Sequence, residues 1–348
     1  MTLLSGITAR KVPTDRYEAN ILERAGDSAD GTPVVFIHGN VSSSLFWQPT
    51  MLRLPADHRA IAIDLRGFGD SETKPVDATR GLGDFSDDIA SVLDALDLDT
   101  VNLVGWSMGG GVVMQFMLEH PGRARTVTLQ APVSPYGFGP TARDGSLLSP
   151  DAAGSGAGGV NPGFIERLRE GDTSDEDQTS PRSVYRSSYV KPGFVSEHED
   201  VWVESMLTTK VAEGSYPGDS KLSANWPGFA PGDEGVLNTM APTRFNTSAI
   251  VDLAVKPPLL WIHGTDDAIV SDASFFDFNH LGALGVIPGW PGAEIAPAQE
   301  MVSQTRDVLT RYRDAGGSFT ELELADCGHS PQLEKPAEFD AALHAHVR

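Results

Sequence analysis

The sequence predicts an α/β fold in which a mostly parallel central sheet is flanked by helices and interrupted by an inserted cap subdomain. Short apolar runs rich in β-branched residues alternate with helix-like segments in residues 1–131 and again in residues 257–348. Such continuous runs are typical of parallel strands that are buried on both faces. Residues 132–256 lose this alternation and are rich in Gly, Pro, Ser and scattered aromatic residues, which indicates an insertion between two parts of one sheet domain.

The strands are predicted where apolar residues run on without interruption or alternate with polar ones. Several runs end at a Gly, Asp or His, where the chain is expected to turn away from the sheet. Residues 7–24, ahead of the first strong run, are expected to hold two antiparallel edge strands. The strong runs are residues 34–37, 60–63, 101–104, 126–129, 258–262 and 319–324.

The helices are predicted between these strands from their amphipathic spacing and their end signals. Residues 84–96 carry acidic side chains near the start, where the helix dipole favours them, and place Val92, Leu93 and Leu96 on one face. Pro121 ends a helix over residues 107–119 because proline cannot continue a helix. Two further helices are expected over residues 300–315 and 336–346.

The domain organisation follows from where this alternation stops. Residues 1–131 and 257–348 are expected to form the two parts of the catalytic core, and residues 132–256 are expected to form a cap. A structureless insertion of this length would be unusual, so the cap should have its own helical or mixed structure. A smaller insertion is predicted at about residues 271–297. Ligands bind at the carboxyl edge of open α/β sheets, where both insertions are expected to lie.

Charge and cysteine content exclude several classes of partner. Lys and Arg number 26 and Asp and Glu number 48, giving a formal net charge of −22. Such a chain repels phosphate backbones and anionic membranes, so we expect neither nucleic acid nor a membrane as partner. Cys327 is the single cysteine, so an intrachain disulfide cannot form. No signal peptide or spanning apolar segment is evident, and a cytoplasmic location is expected.

A candidate nucleophile lies at the junction of a strand and a helix. Residues 105–109 read G-W-S-M-G, which matches G-x-S-x-G. In this context Ser107 follows a strand and opens a helix, and the glycines allow a sharp turn that exposes its hydroxyl at the end of the sheet. A serine hydroxyl is a weak nucleophile at neutral pH and needs an adjacent base.

The base and its orienting acid are predicted on two later loops. His329 follows the last predicted strand, and that position would let its imidazole reach Ser107. The residues after the strand ending near Ile262 include Asp266 and Asp267, and either carboxylate would serve to orient the histidine. The sequence thus predicts a nucleophile, an acid and a base on three separate strand ends.

This arrangement resembles the α/β-hydrolase superfamily over nearly the whole chain, with its motifs in the expected order. The resemblance implies that Asp267, at the fourth position of G-x-x-D, is the acid. It also implies an oxyanion hole formed by Met108, the residue after the nucleophile, and Asn40, whose side chain is a further candidate for substrate contact. The motifs are His38-Gly39, residues 64–71 (DLRGFGDS), residues 105–109, Gly264-x-x-Asp267 and Gly328-His329.

The resemblance leaves several chemistries open, because this fold hosts many. Haloalkane dehalogenases and epoxide hydrolases on it use an aspartate nucleophile, so Ser107 argues against both. We expect an ester or lactone hydrolase working through an acyl-enzyme. A carbon–carbon bond hydrolase of ring-cleavage products is an alternative, and it would need a polar pocket for a dienoate carboxylate. A non-catalytic small-molecule receptor on this fold is the alternative from another class.

Aromatic residues in both insertions suggest a bulky, apolar substrate. No metal-ligand spacing or dinucleotide motif is evident, so neither a metal nor a cofactor is expected. The expected partner is a small-molecule substrate, and the sequence leaves monomer and homodimer both open. The substrate-binding candidates are Trp106, Phe138, Trp202, Trp226 and Val270.

Overall fold

A computed structural model describes residues 1–347 of the chain, and eight of its strands form one sheet. The strands are β1 (Ile7–Pro13), β2 (Glu18–Arg24), β3 (Thr32–Ile37), β4 (His58–Ile63), β5 (Val101–Trp106), β6 (Ala124–Gln130), β7 (Ser220–Leu222), β8 (Phe229–Pro231), β9 (Leu259–Gly264) and β10 (Phe319–Leu324). The sheet order is β1-β2-β4-β3-β5-β6-β9-β10, and β7 and β8 pair separately as an antiparallel ribbon.

The sheet confirms the predicted fold class. Strands β3 to β6, β9 and β10 pair in parallel, and β1 and β2 form the antiparallel edge that was predicted for residues 7–24. In the middle of the sheet, Val35 lies beside Ile61 and Leu103, and all three are buried. Each such side chain contributes about 1.5–3 kcal/mol on burial, which explains why these continuous apolar runs form the centre of the domain.

The four predicted helices are confirmed to within one or two residues, and a further short helix after β3 was not predicted. That helix, α1, has Pro49 in its first turn and follows a 3₁₀ turn at Ser44–Trp47. The α-helices are α1 (Gln48–Arg53), α2 (Gly83–Ala95), α3 (Met108–Glu119), α4 (Pro162–Glu170), α5 (Pro181–Val184), α6 (Glu199–Leu207), α7 (Phe278–Ala283), α8 (Met301–Asp314), α9 (Pro331–Glu334) and α10 (Pro336–His346). The other helical turns are Ala78–Arg80, Ala157–Gly159, Tyr185–Tyr189, Leu237–Met240 and Ser248–Asp252.

Residues 132–256, called here the first insertion, lie between β6 and β9. They contain α4 to α6 and the β7–β8 ribbon. Residues 271–297, the second insertion, contain α7 and pack against the first. The Trp226 indole donates to the Pro288 carbonyl at 2.9 Å, and the rings of Phe229 and Phe278 lie 5.0 Å apart. The two insertions therefore support each other.

The parallel strands bring four segments to one edge of the sheet. Ser107 directly follows β5, and the β3 loop (residues 38–43), the β9 loop (residues 265–270) and the β10 loop (residues 325–330) follow their strands. Because parallel strands share a direction, their carboxyl ends open to the same side of the sheet. None of the helices within residues 1–347 has the length and apolar character needed to cross a membrane.

Candidate active site

Ser107 occupies a strained turn between β5 and α3. Its backbone has φ 57° and ψ −121°, a conformation that costs about 1–3 kcal/mol for a residue with a side chain. The flanking glycines allow it. A Cβ atom on Gly105 would lie 2.4 Å from the Gly109 carbonyl oxygen, and one on Gly109 would lie 2.4 Å from that of His38. The surrounding packing thus holds Ser107 in a conformation that the isolated chain would avoid.

The β3 loop passes directly over Ser107. A Cβ atom on Gly39 would lie 2.8 Å from the Ser107 Cβ and 3.1 Å from the Trp106 carbonyl oxygen. Only glycine permits this approach. The backbone that follows, at Asn40, is therefore brought close to the Ser107 hydroxyl.

Met108 is the first residue of α3. The first four N–H groups of a helix have no partner within it, and the helix dipole places positive potential there. The Ser107 carbonyl accepts from Gly110 N–H at 3.0 Å and Gly111 N–H at 3.3 Å, which closes the first turn. The Met108 N–H therefore remains directed out of the helix end, where it can bind a negative oxygen.

His329 and Asp267 form a buried pair between the β10 and β9 loops. The His329 Nδ1 lies 2.8 Å from the Asp267 Oδ2, and both side chains are almost fully shielded from solvent. The other carboxylate oxygen, Oδ1, accepts from the N–H groups of Ile269 at 2.8 Å and Val270 at 3.0 Å. Asp267 thus has both oxygens fixed, and it fixes the ring of His329 in turn.

Asp266 is placed differently from its neighbour. Its side chain is 41% exposed and lies 3.6 Å from the Lys191 ammonium group, in an ion pair at the surface. Of the two acids that the strand end offers, Asp267 is the one that meets the histidine.

Trp106 connects the nucleophile strand to His329. Its indole Nε1–H donates to the His329 carbonyl at 2.8 Å, and the two rings lie 5.5 Å apart. Trp106 is fully buried and packs against Phe46 at 4.9 Å. The indole thus supports the histidine from within the core, and the substrate contact expected for Trp106 stays a prediction.

Two tyrosines of the first insertion hold the β3 loop. The Tyr189 hydroxyl donates to the carbonyl of Asn40 at 2.8 Å and is also within reach of that of Val41 at 3.2 Å. The Tyr216 hydroxyl lies beside the Asn40 side chain, and burial raises the pKa of Tyr216 above its ordinary value. The Asn40 Oδ1 is itself buried and has no hydrogen-bond partner among residues 1–347. The Asn40 turn is therefore fixed by the insertion rather than by the sheet alone.

The four other predicted substrate residues take different positions. Trp202 is buried in the first insertion, stacked on Phe46 at 5.1 Å, with its indole donating to the Ser196 hydroxyl. Trp226 lies at the junction of the two insertions, as described above. Both rings have packing contacts, and the substrate contacts expected for them stay predictions. Val270 is buried and acts through its backbone on Asp267, whereas Phe138 is half-buried against the core.

His38 is buried beside the site and has a structural position. It accepts from the Leu65 N–H at Nε2 (3.0 Å), so its proton is on Nδ1, which donates to the Gly39 carbonyl at 2.7 Å. Burial lowers the pKa of His38. The neutral ring thereby fixes Gly39 above Ser107.

Two clusters away from this edge bring a histidine and two carboxylates together. In each, a carboxylate is already paired with an arginine: Arg80 lies 2.8 Å from Asp87, and Arg306 lies 2.5 Å from Glu321. We assign no metal to either cluster. They are Asp87, Glu119 and His120, and His263, Glu321 and Glu323.

Sequence reasoning missed Tyr189, Tyr216 and Glu334 as neighbours of the site. The two tyrosines lie in a segment without helical or strand periodicity, so nothing local marked them apart from other aromatic residues. Glu334 lies four positions after Ser330, and the Ser330 N–H donates to its carboxylate. Its place in the sequence close to His329 does not indicate which groups the carboxylate binds.

Comparison with known proteins finds related sequences and structures. A family model described as alpha/beta hydrolase fold matches residues 32–281. The chain is 30% identical over 218 residues to a 2-hydroxymuconate semialdehyde hydrolase of Pseudomonas sp. (strain CF600), covering 57% of this chain and 71% of that protein.

Solved structures resemble the chain over nearly its full length. An esterase from Rhodococcus sp. ECU1013 aligns with a TM-score of 0.59 at 18% identity, covering 97% of this chain and 98% of that one. A 2-hydroxy-6-oxo-6-phenylhexa-2,4-dienoate hydrolase from Rhodococcus sp. strain RHA1 aligns with a TM-score of 0.56 at 19% identity, covering 98% and 99%. At these identities the likeness shows the shared fold.

Proposed function

The chain belongs to the alpha/beta hydrolase family and is a hydrolytic enzyme, and we propose that it cleaves a carboxylic ester or lactone through an acyl-enzyme on Ser107. The observation that supports the proposal is the buried His329–Asp267 pair at 2.8 Å, on the same edge of the sheet as Ser107 in its strained strand-to-helix turn. A non-catalytic receptor has no use for either feature, and the hydrolase relatives disfavour it.

The proposed reaction begins with proton transfer. Because Asp267 accepts the Nδ1–H of His329, the lone pair of that ring is on Nε2, which takes the proton of the Ser107 hydroxyl. The serine oxygen forms a bond to the carbonyl carbon, and the carbonyl π electrons move to its oxygen. The N–H groups of Met108 and Asn40 bind that negative oxygen.

The tetrahedral intermediate then collapses to the acyl-enzyme. The bond to the leaving alkoxide breaks, and His329 returns the proton to that oxygen. Water enters, gives a proton to the same nitrogen and attacks the acyl carbon. Expulsion of the Ser107 oxygen, which recovers the proton, releases the carboxylic acid. In a lactone the alcohol stays attached, so ring opening gives a hydroxy acid.

We propose that the first insertion acts as a cap and that the substrate is bulky and apolar. In support, Tyr189 of the insertion places its ring 6.2 Å from that of His329 and 5.9 Å from that of Trp106. These rings provide an apolar surface next to His329, the proposed catalytic base. Such walls favour a hydrocarbon group over an acetate-sized one.

The test uses p-nitrophenyl esters of increasing acyl length. We expect steady turnover that rises from acetate to longer chains and is lost in Ser107→Ala with the fold retained. A phosphonate ester should label Ser107, as read by mass spectrometry of its peptide. Undiminished turnover by Ser107→Ala would overturn the proposal, and a burst without turnover would favour a receptor.

A carbon–carbon bond hydrolase is the second candidate. The similarity to the 2-hydroxymuconate semialdehyde hydrolase favours it, as does the position of the Tyr216 hydroxyl beside the Asn40 side chain. Hydroxyl and amide groups are both hydrogen-bond donors. Such donors suit a substrate with a second oxygen near the cleaved carbonyl. Turnover of a ring-cleavage dienoate, with a specificity constant above that of every ester, would establish this candidate instead.

A further inference from the structure

Glu334 binds both sides of the His329 position. Its Oε2 accepts from the Gly328 N–H at 2.9 Å, and its Oε1 accepts from the Ser330 N–H at 3.2 Å. These two residues flank His329 in the chain. Glu334 is at the end of α9, and its own N–H donates to the Ser330 carbonyl at 3.1 Å. The β10 loop is therefore closed on itself through one carboxylate.

The same carboxylate reaches the first insertion. Oε2 also accepts from the Lys191 N–H at 2.8 Å. The approach depends on Gly328, where a Cβ atom would lie 2.5 Å from the Lys191 nitrogen and 3.1 Å from Glu334 Oε1. Bonds from N–H groups to a carboxylate are stronger than those between neutral groups, so Glu334 ties the insertion firmly to the histidine loop.

Adjacent contacts make the same connection. The Ser330 hydroxyl donates to the Tyr189 carbonyl at 2.6 Å, while the Tyr189 hydroxyl holds the Asn40 turn. The Lys191 ammonium group pairs with Asp326 on the β10 loop and, at 3.6 Å, with Asp266 on the β9 loop. Residues 189–191 thus contact all three loops that carry the proposed catalytic groups.

The environment of Glu334 is anionic and partly buried. Burial and the charge of Asp267 raise its pKa, and the three N–H donors oppose that shift. No salt bridge to Glu334 is present within residues 1–347. The other titratable groups near it are Asp267, Cys327, Tyr185, Lys191 and Lys335.

We propose that Glu334 is a positioning residue for His329, and that it joins the first insertion to the catalytic base; this rests on the proposed function of Ser107 and His329. Glu334 itself touches no substrate. It keeps the imidazole in line with Ser107 by fixing the backbone on either side, and it makes that alignment depend on the insertion being seated.

The test is Glu334→Gln, which keeps the side chain's shape. Its amide group turns one acceptor into a donor that faces an N–H, so one of the three bonds is lost together with the charge. We expect kcat on the best p-nitrophenyl ester to fall by about tenfold, the equivalent of one such bond, with KM changed less than about twofold. Glu338→Gln, an exposed acid on α10, is the matched control and should keep both parameters.

Two readouts separate positioning from general loss of structure. Labelling of Ser107 by a phosphonate ester, measured per folded molecule, should slow in step with kcat, and Glu334→Asp should retain more activity than Glu334→Gln because it keeps the charge. If Glu334→Gln does not fold, the same expectation of lower kcat at constant KM applies to Glu334→Asp against wild type.

The outcomes discriminate the two proposals. A kcat within twofold of wild type in Glu334→Gln, or a rise in KM that accounts for the loss, overturns the role of Glu334 alone. Turnover that persists in Ser107→Ala overturns the proposed function, whatever Glu334→Gln shows.

Discussion

The imidazole of His329 meets the carboxylate of Asp267 at 2.8 Å, whereas Asp266, one residue earlier, pairs with Lys191 at the surface. Two adjacent acids thus have separate partners. Two residues that are neighbours in sequence can therefore be compared, one in a buried pair with the histidine and one in an exposed ion pair.

Asp267→Asn should reduce kcat by about 10³- to 10⁴-fold, because an amide at this position stabilises the wrong tautomer of the histidine. Asp266→Asn, the matched control, loses an exposed ion pair and should stay within a few-fold of wild type. Both are measured by ester hydrolysis at neutral pH. Equal losses in the two variants would contradict the assignment of the acid.

Tyr189→Phe should lower kcat because it frees the Asn40 turn from its anchor. The variant loses a buried hydroxyl-to-carbonyl bond, which costs about 0.5–1.5 kcal/mol of stability. Tyr312→Phe is the control. It loses a comparable bond, at 2.7 Å to the carbonyl of Pro257, which precedes β9, whereas the candidate site lies after the carboxyl ends of the strands. We expect the two variants to have similar melting temperatures, and only Tyr189→Phe to have a lower kcat. Identical kcat values would show that the anchor has no part in turnover.

Trp106→Phe should reduce kcat by tenfold to a hundredfold, on the order expected for a small displacement of a catalytic group. The change removes the indole bond to the His329 carbonyl. Trp47→Phe is the control, since Trp47 is buried in the same aromatic cluster and its Nε1 has no hydrogen-bond partner within residues 1–347. Both variants lose packing, and thermal unfolding measures that shared part. A normal kcat in Trp106→Phe would refute the supporting role.

Acidification should reduce stability through His38. Burial lowers the pKa of His38 in the folded chain, so below its ordinary pKa of about 6.5 the unfolded chain binds a proton that the folded chain does not. Stability contributed by the neutral ring is therefore complete above that pH and is lost as the pH falls. The melting temperature of His38→Gln should fall less between pH 7 and pH 5.5 than that of wild type. Parallel curves would contradict this linkage.

The sheet and its strand ends could be predicted because they depend on local patterns. Continuous apolar runs such as residues 34–37 are typical of central strands that are buried on both faces. Gly, Asp or His residues after several of these runs predict where the chain turns away from the sheet. The candidate Ser107, Asp267 and His329 follow from those ends. Helix α1 was missed although Pro49 lies in its first turn, because a helix of six residues is too short to show a clear periodic pattern.

Contacts between distant segments could not be predicted. The substrate contacts expected for Trp106 and Trp202 rest on their residue type alone, and the residue type does not determine the direction in which a side chain points. Tertiary packing turns both inward. The proposed role of Glu334 depends on its hydrogen bond with Lys191, which lies 143 positions earlier in the chain. A local sequence pattern does not predict a contact over that distance.

The close approach at Gly328 limits how this enzyme can be rebuilt. A segment grafted in place of residues 132–256 would have to pass the β10 loop at the same distance and offer an N–H where Lys191 does. A foreign segment without that geometry leaves Glu334 short of one donor and Asn40 without the Tyr189 hydroxyl. Exchange of the insertion alone should therefore yield a folded but poorly active hybrid, whereas exchange of the insertion together with residues 326–334 transfers a complete unit.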